Sequence, residues 1–154
     1  MQYQAVVFDM DGVIFDTERL VIEFWKEVAK KHNIPNVEHT CIQCLGTNRV
    51  RTREIFLENY GADFPFDPYR AEVTELFNTH YKGVPLPTKP GIRELLNYLQ
   101  EQDIKVGLAS STAQHLVRDE IGTAGLLPYF QTLVCGDMVE HSKPAPDIFL
   151  KACE

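Results

Sequence analysis

Near the amino terminus the apolar run Ala5-Val6-Val7-Phe8 leads without a spacer into Asp9-Met10-Asp11-Gly12-Val13-Ile14-Phe15-Asp16-Thr17. A short apolar run of this kind reads as a buried strand. Gly12 lets the backbone turn as soon as the strand ends, and Asp16 or Thr17 can cap a helix behind it. The residues that form this strand therefore also set two carboxylates at its end. Alternation puts Asp9 and Asp11 on one side and Met10 on the other. Carboxylates so close repel one another when both are charged, so the pair suits either a shared divalent cation or a division of labour between an ionised nucleophile and a proton carrier. We read Asp9 as the nucleophile and Asp11 as the acid/base; an exposed acidic turn is the plainer alternative for an isolated Asp-x-Asp.

Two further segments repeat the pattern of an apolar strand running out into polar chemistry. Ile104-Lys105-Val106-Gly107-Leu108-Ala109 ends in Ser110-Ser111-Thr112, hydroxyls suited to binding an anion and to capping a helix that begins near Ala113. Phe130-Gln131-Thr132-Leu133-Val134 reads as a third strand, followed by Gly136-Asp137 and Ser142-Lys143-Pro144-Ala145-Pro146-Asp147. Lys143 brings a cation that can hold phosphoryl oxygens and temper repulsion at Asp9. Asp137 reads as a loop or helix-capping residue, with contact to the site as the alternative.

These three strand ends together resemble the haloacid-dehalogenase (HAD) superfamily of phosphatases and phosphomutases, in the subfamily whose helical cap is inserted after the first strand. Asp9 to Thr17 resembles its first motif, Ser110 its second and Lys143 with Pro144 its third, and the intervals between them fit over essentially the whole chain. The resemblance implies a Rossmann-like α/β base of residues 1–15 and 84–154, with residues 16–83 as an inserted helical cap. It also implies that Asp9 attacks phosphorus to give an aspartyl-phosphate, while Asp11 protonates the leaving oxygen and later activates water. Ser110 and Lys143 would hold the phosphate, and magnesium (Mg2+) would sit between the Asp9 carboxylate, the Asp11 backbone carbonyl and the phosphate. Members of the family continue into a further strand bearing acidic residues, at least one of which binds the magnesium. The remaining ligand is therefore expected beyond Glu154, the base is expected to be incomplete at its carboxyl end, and the edge of the first strand is expected to be covered by a missing segment, a second copy or a partner.

Between the first two strands, Leu20, Val21, Phe24, Trp25, Val28 and Ala29 recur at helical spacing as one packed stripe. A second helix is expected from Arg49 to Tyr60 and a third from Tyr69 to Tyr81, with Phe64-Pro65-Phe66-Asp67-Pro68 between them as a proline-bearing connection. Leu45-Gly46-Thr47-Asn48-Arg49 is the expected substrate-facing stretch, with Arg49 either holding a second anionic group or simply solvated. In the resembling β-phosphoglucomutases a histidine of the first cap helix assists proton transfer. Val21 stands at that place here, and His32 and His39 lie too far along to replace it. This favours a magnesium-dependent phosphatase acting on a small phosphorylated metabolite over a sugar phosphomutase. A catalytically inactive HAD-like fragment or interaction protein is the alternative outside enzymology.

A formal charge of −7, with lysines and arginines scattered along the chain, argues against a nucleic-acid surface. Cys41 and Cys44 form a Cys-x-x-Cys pair near His39, but Cys135 and Cys153 do not supply the second half of a zinc site, so reduced structural cysteines are expected. Met1-Gln2-Tyr3-Gln4 lacks a basic leader and no apolar run approaches membrane-spanning length, which makes a cytoplasmic protein without membrane contact the expectation. His80, His115 and His141 read as surface or packing residues.

Overall fold

A computed structural model describes residues 3–47, 49–141 and 143–154. Ser142 and Asn48, in stretches singled out above, lie outside the described residues, as do Met1 and Gln2. The chain forms β1 (Ala5–Phe8), α1 (Thr17–His32), α2 (Val37–Gln43), α3 (Arg49–Tyr60), α4 (Phe66–Tyr81), α5 (Ile92–Glu101), β2 (Lys105–Ser110), α6 (Gln114–Thr123), β3 (Thr132–Cys135) and α7 (Asp147–Ala152). It divides into two compact units, one of residues 1–17 and 83–154, the other of residues 18–82.

The first unit is a three-stranded parallel sheet in the order β1-β2-β3, flanked by helices, which is the Rossmann-like α/β class that the family resemblance implies. Register pairs Phe8 with Leu108 and Ser110 with Cys135, so the carboxyl ends of all three strands lie along one edge. β2 is central and buried from Val106 to Ser110. Ala109, Val134 and Ile148 form a small aliphatic core where α7 packs on the sheet. The two chain passages that bound the helical insertion are zipped together: Phe15 bridges Thr88 antiparallel, Asp16 N–H donates to Pro87 O (2.9 Å) and Lys89 N–H donates to Ile14 O (2.8 Å). An ion pair between Lys89 Nζ and Asp16 Oδ1 (2.6 Å) lies beside this ribbon.

The second unit is helical and builds its own core from Trp25, Val28, Ala29, Val37, Cys41, Phe56, Phe66 and Val73. Glu18 in the first turn of α1 and Lys30, Lys31 and His32 in its last turn complement the helix dipole. Leu20, Trp25, Val28 and Ala29 are buried as the stripe predicts, but Val21 is exposed and Phe24 only half-buried, so the buried face is narrower than the periodicity suggests. The proline-bearing stretch also differs from expectation, because α4 starts at Phe66 rather than Tyr69. Pro65 is its N-cap residue and Pro68 falls in its first turn, where a backbone N–H has no intrahelical acceptor to lose. α2 has no counterpart in the sequence reading; its seven residues bury only Val37, Thr40 and Cys41, too few for a helical period to show. β3 begins two residues later than expected because a 3-10 turn at Leu127–Tyr129 takes up the chain ahead of it. Among the described residues no helix is long and apolar enough to cross a membrane.

Candidate active site

Because the sheet is parallel, Asp9 just past β1, Ser110 at the end of β2 and Gly136 just past β3 are delivered to the same edge, the usual place for a site in an open α/β sheet. Close approach of the last two depends on Gly136, whose N–H donates to Thr112 O at 3.0 Å. A Cβ there would stand 2.1 Å from the Ser111 carbonyl oxygen, so any side chain would push β3 away from the Ser110–Thr112 loop.

Asp9 and Lys143 form the centre of the arrangement. Lys143 Nζ lies 2.8 Å from Asp9 Oδ1 and donates to the Ala109 carbonyl at 2.9 Å. The Met10 N–H donates to the same Asp9 Oδ1 at 2.7 Å, while the Met10 side chain is fully buried. A fixed cation beside one carboxylate offsets the repulsion expected between Asp9 and Asp11.

Asp11 is held differently. Thr112 Oγ1 donates to its Oδ2 (3.2 Å), and the Thr17 hydroxyl hydrogen-bonds its carboxyl. Thr17 Oγ1 accepts from the Gly12 N–H at 3.1 Å, which leaves its own hydroxyl proton for Asp11. Gly12 itself sits at φ 72°, the left-handed region that a side chain disfavours. Although Asp11 as a residue is exposed to solvent, the protein packed around its carboxyl raises its pKa above the usual carboxylate range. The Thr17 and Thr112 hydrogen bonds work against that rise, as does Lys143, while the Asp9 charge adds to it.

Ser110 is fully buried and its Oγ accepts from the Thr112 N–H (3.1 Å), so its O–H is left to donate. The helix cap expected from the Ser110-Ser111-Thr112 hydroxyls comes from elsewhere: both carboxylate oxygens of Asp137 accept from the Gln114 N–H at 3.0 and 3.2 Å. A carboxylate serves this post well at a helix amino terminus, and it gives Asp137 the capping role. Arg49 opens α3 in the helical unit and pairs with Asp67 Oδ1 (3.4 Å), while Arg53 Nε takes Oδ2 (3.2 Å).

Several groups here carry little or no signal in the sequence. Thr17 and Thr112 as holders of Asp11, the Ala109 carbonyl and Phe149 ring around Lys143, and Glu120 all depend on chain crossings that spacing does not display. Glu120, half-buried on α6, is pushed up to about 7 by burial and by the charges of Asp11 and Asp119. Only the hydroxyl run at 110–112 gave notice of Thr112.

A hard cation such as magnesium takes oxygen ligands and commonly keeps waters, needing only one or two carboxylates plus phosphate oxygens. Asp9 fits as one such donor, since the contacts from Met10 and Lys143 both fall on its Oδ1. Among the described residues no group of three or more His, Cys, Asp or Glu side chains gathers to hold a metal.

Residues 6–154 match the model of the haloacid dehalogenase-like hydrolase family. The chain is 32% identical over 151 residues to a phosphorylated carbohydrates phosphatase of Thermotoga maritima, covering 98% of this chain and 69% of that protein. It is 34% identical over 159 aligned positions to the β-phosphoglucomutase of Bacillus subtilis, covering 97% of this chain and 68% of that one. A crystal structure of a Thermotoga maritima protein assigned as a β-phosphoglucomutase superposes with a TM-score of 0.73 at 32% identity, over 97% of this chain and 68% of that one. With strand ends, motif residues and relatives in agreement, the chain belongs to the haloacid dehalogenase-like hydrolase family.

Proposed function

We propose that the protein hydrolyses small phosphomonoesters, with Asp9 as nucleophile and Asp11 as acid/base. The observation that carries this reading is the split between the two carboxyls: Asp9 is paired with Lys143, whereas Asp11 sits in surroundings that raise its pKa. A carboxylate held beside a fixed cation suits a nucleophile, and a carboxyl whose pKa is raised suits a proton carrier. In the first step an Asp9 oxygen forms a bond to phosphorus, the phosphorus–oxygen ester bond breaks, and Asp11 in its acid form gives its proton to the departing alkoxide. In the second, Asp11 as carboxylate takes a proton from water, whose oxygen bonds to phosphorus as the Asp9 oxygen leaves; inorganic phosphate and free Asp9 result. Ser110 O–H and Lys143 Nζ bind the phosphoryl oxygens throughout. Magnesium, held by Asp9 and the Asp11 carbonyl, would supply charge that eases the approach of a phosphate dianion to a carboxylate.

Within this reading Arg49, which pairs with Asp67, is the candidate for a second anionic group on the substrate. The named relatives include both a phosphatase and a mutase of phosphorylated carbohydrates, which makes a sugar phosphate the first substrate class to try. Val21, exposed on α1 where the mutases carry a histidine, supports hydrolysis as the outcome.

Phosphate release from a panel of sugar and other small phosphomonoesters tests the reading, with magnesium and with chelator, in the intact protein and in Asp9→Asn. Turnover that requires magnesium and falls by about four orders of magnitude or more in Asp9→Asn, with an unchanged circular dichroism spectrum, is expected. Turnover retained by Asp9→Asn would reject the nucleophile. Phosphate passed to a second position on the sugar without release would favour the mutase.

A further inference from the structure

The lysine stem is long and flexible, and an ammonium on it is ordered only by what surrounds it. Around Lys143 Nζ stand Asp9 Oδ1, the Ala109 carbonyl and, with the ammonium over its face at 4.9 Å from the centroid, the Phe149 ring. Phe149 is 39% exposed, whereas its neighbour Ile148 is 1% exposed and anchors α7 in the core. The ring therefore adds less to the core than Ile148 does, and its distinctive contact is with a cation. α7 is also tied to the segment preceding Lys143 at two points: His141 Nδ1 meets Asp147 Oδ2 at 2.9 Å, and Lys151 Nζ donates to Met138 O at 2.7 Å. Ring and lysine are thus carried by chain segments fastened to one another.

We infer that Phe149 is a positioning residue for Lys143, its π face holding the ammonium toward Asp9 and Ala109 so that the cation is in place before a phosphate arrives. The role rests on the reading of Asp9 as phosphoryl acceptor. An ammonium over an aromatic face is attracted by the ring quadrupole, and a donor already oriented stabilises developing charge without reorganising during the reaction. Leucine preserves apolar bulk and loses the quadrupole; tyrosine keeps it, with the half-open surroundings leaving its hydroxyl access to water.

The test compares wild type, Phe149→Leu and Phe149→Tyr in the intact protein by two readouts. In protein labelled with 13C at lysine Cε, the Lys143 signal, identified by its loss in Lys143→Arg, is expected upfield of the other lysines in wild type and Phe149→Tyr, from the ring current. In Phe149→Leu it is expected to rejoin them. In parallel, kcat/KM on the best phosphomonoester is expected to fall about three- to thirty-fold in Phe149→Leu, mainly in kcat, and to recover in Phe149→Tyr. A Lys143 signal without displacement in wild type overturns the inference. So does a Phe149→Leu protein that loses the displacement yet keeps full kcat/KM, or a Phe149→Tyr protein as slow as the leucine variant. A wild type that shows the displacement but turns over no phosphomonoester sinks the hydrolase reading, and the positioning role with it, while leaving the contact itself measured.

Discussion

The two units use their charged and aromatic side chains in opposite ways. In the helical unit, carboxylates are stabilised: Arg53 and Arg49 hold Asp67 below its usual pKa, and Lys31 and His32 do the same for Glu72. In the sheet unit they are under stress, with Asp11 and Glu120 both raised, first of all by burial. The cores differ too. Trp25, Phe56 and Phe66 pack at centroid distances of 4.5 to 5.9 Å in the helical unit, whereas the sheet unit buries mostly aliphatic side chains, such as Ile14, Leu108, Ile121 and Leu126, beside Phe8 and Phe15. The helical unit resembles a part arranged for its own stability. The sheet unit keeps carboxyls whose charged form is disfavoured, a pattern that clusters at functional sites.

The contrast is tested most severely at Asp11. Asp11→Asn is expected to lower turnover by about 10²- to 10⁴-fold while leaving the thermal midpoint at pH 8 equal to or above that of wild type, because the charged form it removes is the disfavoured one. A falling midpoint would show that Asp11 holds the fold and not only the reaction.

Phe56→Ala is expected to do the converse, costing about 3–5 kcal/mol through the cavity it leaves among Trp25, Phe64 and Phe66. Hydrogen exchange should then rise in α3 and α4 more than in β2. Equal loss of protection in both units would show that they unfold as one.

A smaller effect separates the units by pH. Glu120 has an ordinary value of 4.5 and a folded value of about 7, so between these the folded chain keeps a proton that the unfolded chain has released. Its contribution is thus fully present below about 4.5 and is lost as pH rises toward about 7. Asp67 and Glu72 act in the other direction: their folded values are lowered, so their contribution is present above the unfolded values and is lost as pH falls through the folded ones. In magnesium-free buffer Glu120→Gln should flatten the decline between pH 5 and about 7 that wild type shows in denaturant melts. An unaltered slope would remove Glu120 from the account.

The smallest effect belongs to the exposed pairs Arg51–Glu58 and Arg51–Glu54. Arg51→Ala should leave the melting midpoint within experimental scatter in moderate salt, since exposed ion pairs are screened and entropically costly. A clear drop would show that surface charge, and not the aromatic cluster, holds the helical unit together.

The elements that sequence periodicity reveals are those whose side chains answer to one partner surface. β1 and α3 fall within the bounds that the pattern suggests, and the stripe Leu20-Trp25-Val28-Ala29 is buried as its spacing requires. Patterns fail where a second constraint enters: Pro65 and Pro68 suggest a break and instead supply the start of α4, and Val21 follows the stripe's spacing yet faces solvent. The same division holds at the site. That Asp9, Asp11 and Ser110 fall at or just past strand ends is legible from the apolar runs before them, whereas the pairing of Lys143 with Asp9 is not.

By itself, then, the sequence determined the strand ends and the chemical types assembled there, because a buried parallel strand and the polar turn after it are local facts of hydrophobicity and backbone freedom. Tertiary structure decided which groups touch. Lys143 pairs with Asp9, Thr112 reaches Asp11, and Asp137 caps α6. In each pair the partners lie more than twenty residues apart, and only a parallel register brings their strand ends to one edge. The raised pKa of Asp11 follows from the same cause, since desolvation and neighbouring charge are properties of packed surroundings and have no counterpart along the chain.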